Sequence, residues 1–289
     1  MKKYIKFLVL FILFFPICGC DQNSSMESID IYTTAYPIEY VVNRLYKDHS
    51  NIRSIYPNGA DINNYEVTDV LLSEYSDTDM FIFNGLSKEQ DYVKPLLKEN
   101  NDLKIIDVSS DIKYQNSIEE LWVDPSNLLN IANNIKKGFK EYISAKYLID
   151  EIDKNYEQLK YDLTNLESKY RETAREASNT NIIVSDDLFL FLEDYGINVI
   201  SLDKDNLDYD KNFVIAQELI KTGSIKYVYK KDTEDKNDSI NNLIANSNIK
   251  ILSLNTLSTL TDEQRNNYDY LTLATENLEK LKKQLYNLD

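Results

Sequence analysis

The sequence predicts an α/β fold of two doubly wound lobes, joined by one long helix, with a ligand cleft between the lobes. In both halves of the chain, short apolar runs rich in β-branched and aromatic residues alternate with amphipathic segments, and the middle of the chain has no such runs. Apolar runs of this kind are typical of parallel strands buried on both faces, and their alternation with helical patterns indicates βαβ units. The eight predicted strands are residues 29–33, 52–56, 80–83, 104–108, 181–184, 198–201, 225–229 and 249–254.

A linking helical segment, 126–178, is predicted to separate an N-terminal lobe, 29–125, from a C-terminal lobe, 179–289. Its apolar residues recur every three or four positions, which is the spacing of one face of a helix. A protruding coiled-coil arm would have the same pattern. We favour a single rigid helix that crosses between the lobes and packs its apolar face on them. That face consists of Leu148, Ile152, Tyr156, Leu159, Leu163, Leu166 and Tyr170.

Residues 1–19 have the features of a signal peptide. Three lysines precede an apolar run, 7–15, that is shorter than the ~20 residues a helix needs to span a bilayer. The segment ends in Pro-Ile-Cys-Gly-Cys, which resembles the lipobox of bacterial lipoproteins, whose cysteine carries lipid such as palmitate. The resemblance implies that Cys20 and a short tether, 20–28, hold the chain on the extracytoplasmic face of a bacterial cell membrane. An ordinary cleaved signal with a chance cysteine is the alternative.

Composition excludes several classes of function. The only two cysteines, Cys18 and Cys20, lie in the lipobox segment, so the lipidated mature chain has no thiol for a disulfide, a metal site or a nucleophile. Removing residues 1–19 takes away three Lys and no acid, which changes the formal charge from −16 to −19. A surface this acidic repels phosphate and disfavours nucleic acid as a partner. The sequence lacks phosphate-binding glycine loops and a Gly-x-Ser-x-Gly turn, which favours a binding protein, expected to be a monomer, over an enzyme.

Several short motifs occur in a characteristic order along the chain. They are Tyr36-Pro37, Gly59-Ala60-Asp61-Ile62-Asn63-Asn64-Tyr65-Glu66-Val67-Thr68, Asn84-Gly85-Leu86, Leu121-Trp122-Val123-Asp124-Pro125, Tyr195-Gly196, and Tyr270-Leu271 with Asn277 and Leu281. Through them, residues 29–285 resemble the zinc and manganese group of metal-binding lipoproteins of ABC importers, in which one long helix joins two α/β lobes. The second motif resembles the family's Gly-Thr-Asp-Pro-His-Asp-Tyr-Glu-Pro-Thr. The resemblance implies a permease in the membrane as partner and a divalent metal ion as the transported ligand.

The ligand positions are where this chain departs from the family, which usually binds its ion with three His and one carboxylate. The ligand of an open α/β sheet sits outside the carboxyl ends of the strands, so residues that follow strands are the candidates. A set of Asn, Glu and Asp would be all oxygen, which suits Mn²⁺, Mg²⁺ or Ca²⁺ better than Zn²⁺. Asn and Asp after strands are also ordinary turn and cap residues. At the four positions the resemblance places Asn63, Glu120, Asp186 (or Ser185), and Asp269 (or Asp232).

Two further features bear on a metal site. Lys230 and Lys231 stand where some members of the family carry an acid, and a lysine there opposes a metal ion. The single histidine, His49, lies in a polar loop and is predicted to be a solvated surface residue. The expected function is solute binding for an ABC importer, with a divalent metal ion in a His-poor site. The competing hypothesis is a surface lipoprotein that kept the fold, lost metal binding, and acts as an adhesin or interaction module or binds another ligand.

Overall fold

The computed structural model describes residues 26–245 and 247–288. The predicted signal peptide, the predicted lipidation site at Cys20 and most of the predicted tether lie outside the described residues. Within the described ranges, no helix is long and apolar enough to cross a membrane.

The eight predicted strands are confirmed, with small shifts in their bounds. They are β1 (Ile29–Thr33), β2 (Ser50–Ser54), β3 (Met80–Phe83), β4 (Lys104–Asp107), β5 (Asn181–Val184), β6 (Asn198–Ser201), β7 (Tyr227–Lys231) and β8 (Lys250–Leu254). All pairings are parallel, in one sheet of order β2-β1-β3-β4 and a second of order β6-β5-β7-β8. β2 begins two residues earlier than predicted. It is a half-exposed edge strand, and its first residues, Ser50 and Asn51, pair with β1 although they are polar, so the apolar pattern did not include them.

Helices connect the strands, as the amphipathic segments predict. They are α1 (Tyr36–Tyr46), α2 (Asp69–Ser76), α3 (Gln90–Glu99), α4 (Glu120–Val123), α5 (Pro125–Tyr142), α6 (Lys146–Glu176), α7 (Tyr209–Lys221), α8 (Asp238–Ile244), α9 (Asp262–Asn267) and α10 (Tyr270–Leu285). Two 3₁₀ helices cover Lys47–His49 and Asp187–Tyr195.

The linking segment contains two helices where the sequence analysis predicts one. Residues 143–145 separate α5 from α6, and the backbone at both ends of this link is extended. The two helices form an antiparallel hairpin. Lys140 and Asp153 are paired at 2.6 Å, and the Lys136 ammonium lies 3.6 Å from the centroid of the Tyr156 ring. The crossing between the lobes is therefore made by α6 alone, which is 31 residues long.

The apolar face of α6 is buried, as predicted. All seven residues of that face belong to the main hydrophobic core, and Leu148 and Leu159 have no exposed surface. α6 packs against α1 and α5 in its N-terminal part and against α10 and the second 3₁₀ helix toward its C-terminal end. A protruding arm is thereby excluded, and α6 is the helix that connects the two lobes and packs on both.

One core extends through both lobes. Residues of both sheets, Trp122 and the buried face of α6 form a single cluster, and a smaller cluster around Ile183, Ile200 and Val228 covers the outer face of the second sheet. Direct hydrogen bonds also join the lobes. The Trp122 indole donates to the Thr256 carbonyl at 3.1 Å, and the Tyr36 amide donates to the Ser258 carbonyl at 2.9 Å.

Candidate ligand cleft

Both sheets reverse their winding next to their first strand, and this places the candidate site. β1 has β2 on one side and β3 on the other, and β5 likewise lies between β6 and β7. In such sheets the connections leave neighbouring strands in opposite directions, which opens a crevice at their carboxyl ends. Asn84 follows β3, Ser185 and Asp186 follow β5, and Lys231 is the last residue of β7.

An ion pair between Asp186 and Lys231 lies at the crevice of the second sheet. One carboxylate oxygen of Asp186 contacts the Lys231 ammonium, and the other accepts a hydrogen bond from the Leu188 amide at 2.8 Å. The side chains are only 17% (Asp186) and 24% (Lys231) exposed. Burial alone would lower the pKa of Lys231, but the hydrogen bond and charge of Asp186 outweigh it, so the pKa is raised and the lysine is charged.

Ser185 and Glu234 complete the second-lobe side of the cleft. The buried Ser185 hydroxyl accepts a hydrogen bond from the Lys231 amide at 3.3 Å and also bonds the Glu234 carboxylate. Burial raises the pKa of Glu234, while the Ser185 bond and the charge of Lys231 act in the opposite direction. Glu234 did not stand out in the sequence because it lies in an acidic loop, Asp232–Asp235, of ordinary surface composition.

On the first-lobe side, Asn63 faces Glu119. The Asn63 side-chain amide donates to one Glu119 oxygen at 3.1 Å, and the Ser117 hydroxyl donates to the other. Glu119 is 8% exposed and is close enough to Lys231 to stabilise its charge. Glu119, Asp186, Lys231 and Glu234 are called the cleft cluster below.

The neighbouring Glu120 has a different position from the one predicted. One of its carboxylate oxygens accepts from the Gln115 amide at 2.9 Å, and the other accepts from the Asn116 amide at 3.1 Å and the Asn116 side chain at 2.7 Å. Glu120 is 4% exposed. Its carboxylate therefore anchors the loop that precedes α4, and it is Glu119 that reaches the cleft.

The two alternatives for the fourth ligand have hydrogen-bond partners outside the cleft cluster. Asp269 caps the start of α10 by accepting from the Thr272 amide at 2.8 Å, and it lines a separate cavity of about 350 Å³ beside Tyr36 and Arg265. Asp232 accepts from the Thr256 amide at 3.1 Å. Across residues 26–245 and 247–288, no three His, Cys, Asp or Glu side chains are grouped so that they could hold a metal ion. The structure thus does not assemble Asn63, Glu120, Asp186 and Asp269 as one set, and metal binding by them stays a prediction.

A second cavity, of about 280 Å³, adjoins Asn63 in the first lobe and contains a buried carboxyl group. Glu89 accepts from the Tyr56 hydroxyl at 3.0 Å and from the Asn84 amide at 2.9 Å. Burial raises the pKa of Glu89. Glu89 holds the end of β3 against the turn after β2. The burial of Glu89 was not predicted, because its sequence neighbours Lys88 and Gln90 are polar and indicate an exposed loop.

His49 is more enclosed than the sequence analysis predicts, and it is not part of the cleft cluster. Its side chain is 24% exposed, its Nε2 lies 3.1 Å from a Glu151 oxygen on α6, and its ring packs against Tyr46. Contact with the long helix, which the local sequence does not reveal, encloses it.

Two parallel sheets, one long connecting helix and a cleft lined by the carboxyl ends of the strands define the two-lobed α/β architecture found in solute-binding proteins. The family model for zinc-uptake complex component A, periplasmic (ZnuA), matches residues 31–284. The chain belongs to this family. The family membership predicted from the order of the motifs is confirmed, and a component of this kind binds a solute and is not an enzyme.

Relatives and solved structures agree with this assignment. The chain is 21% identical to the zinc-binding lipoprotein AdcA of Streptococcus pneumoniae over 309 residues, covering 98% of this chain and 61% of AdcA. It is 25% identical to the manganese-binding lipoprotein MntA of Halalkalibacterium halodurans over 216 residues, covering 70% of this chain and 71% of MntA. The Zn(II)-bound ZnuA-like domain of AdcA superposes with a TM-score of 0.72 at 20% identity, covering 89% of this chain and 99% of that domain. This likeness confirms the fold, and the chain spans 61% of the length of AdcA.

Proposed function

We propose that this chain is the lipid-anchored solute-binding component of an ABC importer and that its cargo is a divalent metal ion, of the manganese or zinc type, held by a His-poor set of oxygen ligands. Membership of a zinc-uptake family supports the importer. Relatives described as a zinc-binding and a manganese-binding lipoprotein support both the metal and the anchor at Cys20.

The observation that carries the cargo assignment is the charge of the cleft cluster. Counted at their formal charges, its three carboxylates and one ammonium sum to −2, and Glu119 lies in the first lobe while Asp186 and Glu234 lie in the second. Acidic groups enclosed between two lobes favour a cation that bridges them, because the attraction is less screened there than on an open surface.

The ligands proposed from the predicted set are Asn63 and Asp186, with Ser185 beside them. Glu119 takes the role that the sequence analysis gave to Glu120, because it faces Asn63 at hydrogen-bonding distance. All these donors are oxygen atoms, which suit harder ions such as Mn²⁺. A cargo ion would have to draw the carboxylates together, since they do not form a closed cage in the described residues.

A second function is favoured by a specific observation. The Lys231 ammonium already pairs with Asp186, so the cleft has a cation of its own. If no metal displaces it, the chain is a surface lipoprotein that kept the fold of the family and acts as an interaction module or binds another ligand.

Thermal unfolding of the purified mature protein distinguishes the two functions. After treatment with a chelator, the protein is heated with Mn²⁺, Zn²⁺, Ca²⁺ or Mg²⁺ at neutral pH. An ion at 100 times its Kd should stabilise the fold by about 2.7 kcal/mol. We expect Mn²⁺ to stabilise at least as well as Zn²⁺.

Two variants locate the site. Asp186→Asn should abolish the Mn²⁺ effect, and Asp194→Asn should keep it, because Asp194 is an exposed acid on the adjoining 3₁₀ helix. A clear preference for Zn²⁺ would contradict an all-oxygen site. Absence of a shift with every ion would contradict the metal cargo and support the second function.

A further inference from the structure

We propose that the Lys231 side chain is a built-in cation of the cleft, which pairs with Asp186 at the place a divalent cargo ion would take, so that the ion binds only when Lys231 leaves. This inference rests on the proposed function, because it concerns the same cleft and the same cargo. It assigns Lys231 the role of a residue that lowers the affinity for the cargo by competing with it for Asp186.

The fold directs one of two adjacent lysines into the cleft. Side chains alternate between the two faces of a strand, so Lys230 and Lys231 point in opposite directions at the end of β7. The Lys230 ammonium donates to the backbone carbonyls of Glu234 and Asp235. Lys231 instead contacts Asp186, at the crevice where a ligand of this fold is expected.

Lys231 is surrounded by the groups a metal ion would use. Asp186 contacts it directly, and Glu119 and Glu234 are near enough to stabilise its charge. These acids come from separate elements: Glu119 precedes α4, Asp186 follows β5, and Glu234 follows β7. The Lys231 ammonium therefore neutralises part of the same negative charge that a cargo ion would neutralise. Because the ammonium belongs to the chain, it does not lose the translational freedom that a free ion loses on binding.

Competition follows from elementary electrostatics. A divalent ion bound by Asp186 would lie within a few ångströms of the ammonium unless the lysine moved, and repulsion between such charges is large in a partly enclosed site. Metal binding must therefore break the Asp186–Lys231 pair. Removing the ammonium should free the carboxylate and increase the affinity for the ion.

The test measures the affinity of purified mature protein for Mn²⁺ by isothermal titration calorimetry. Lys231→Gln should bind Mn²⁺ at least tenfold more tightly than the wild type, which corresponds to about 1.4 kcal/mol. Lys231→Arg keeps a cation that can pair with Asp186 and should retain the wild-type affinity. Lys221→Gln removes the same charge from the exposed end of α7 and should also leave the affinity unchanged.

The possible results separate this inference from the function on which it rests. Equal affinity of the wild type and Lys231→Gln would overturn the inference and leave the metal cargo standing. Tighter binding by Lys231→Arg, to the same degree as by Lys231→Gln, would overturn it as well, because the cation would not be what matters. Absence of binding by all the proteins would overturn both. Circular dichroism and the metal-free melting temperature show that each variant is folded.

Discussion

Leu159 provides the most direct test of the joined core. It lies near the middle of α6, has no exposed surface and belongs to the cluster that extends through both lobes. Replacing a buried leucine with alanine costs about 2–5 kcal/mol, because transfer free energy is lost and a cavity is left. Leu159→Asp should cost more, since it also places an unpaired charge in an apolar environment. In a protein of this size, each 1 kcal/mol lowers Tm by about 2–4 °C, so Leu159→Ala should lower it by at least about 4 °C.

Urea unfolding followed by circular dichroism measures these free energies. The matched control is Tyr161→Ala on the same helix, where Tyr161 is 68% exposed and the change should remain within about 0.5 kcal/mol. If Leu159→Ala lowers the free energy of unfolding no more than Tyr161→Ala does, the apolar face of α6 is not packed between the lobes.

Two more predictions concern a buried acid and the anchor. Burial raises the pKa of Glu89 in the folded state, so the folded state holds the Glu89 proton more tightly than the unfolded state does. The stabilisation of the fold by protonated Glu89 is therefore complete below the unfolded pKa and is lost as the pH rises through the folded pKa. The unfolding free energy of the wild type minus that of Glu89→Gln should therefore fall as the pH rises above the unfolded glutamate pKa of about 4.3, and a constant difference would contradict the assignment. For the anchor, Cys20→Ser should abolish labelling with radioactive fatty acid and recovery in the membrane fraction, while Cys18→Ser should retain both. Equal labelling of all three proteins would place the lipid elsewhere.

Much of the fold was predictable because it is encoded in local patterns. A strand buried on both faces must be apolar along its length, and a helix that packs on one side must repeat its apolar residues every three or four positions. The bounds of β1, β3, β5 and β6 and the buried face of α6 follow from these patterns alone. The break at residues 143–145 was missed because Ile-Ser-Ala is neither a glycine nor a proline signal, and only packing of α5 back on α6 shows the turn.

The candidate site was predicted at the level of its loops and not of its side chains. Glu119 and Glu120 are neighbours, and successive residues on a helical turn differ in direction by about 100°. Only the tertiary structure shows that Glu119 meets Asn63, while Glu120 is engaged by the amides of its own loop. Lys230 and Lys231 are likewise equivalent in the sequence, and only the tertiary structure shows that Lys231 pairs with Asp186 while Lys230 bonds the carbonyls of its own loop.

The sequence by itself determined the α/β class, the two groups of four strands, the long buried helix and the family. Each of these depends on periodicity or on motif order, which are properties of the chain read in one dimension. The tertiary structure decided which charges share the cleft: Glu119 from before α4, Asp186 from after β5, and Lys231 at the end of β7. These residues are far apart in sequence, and their free energy of interaction depends on distance and on exclusion of water, which are set only when the two lobes pack against each other in the folded chain.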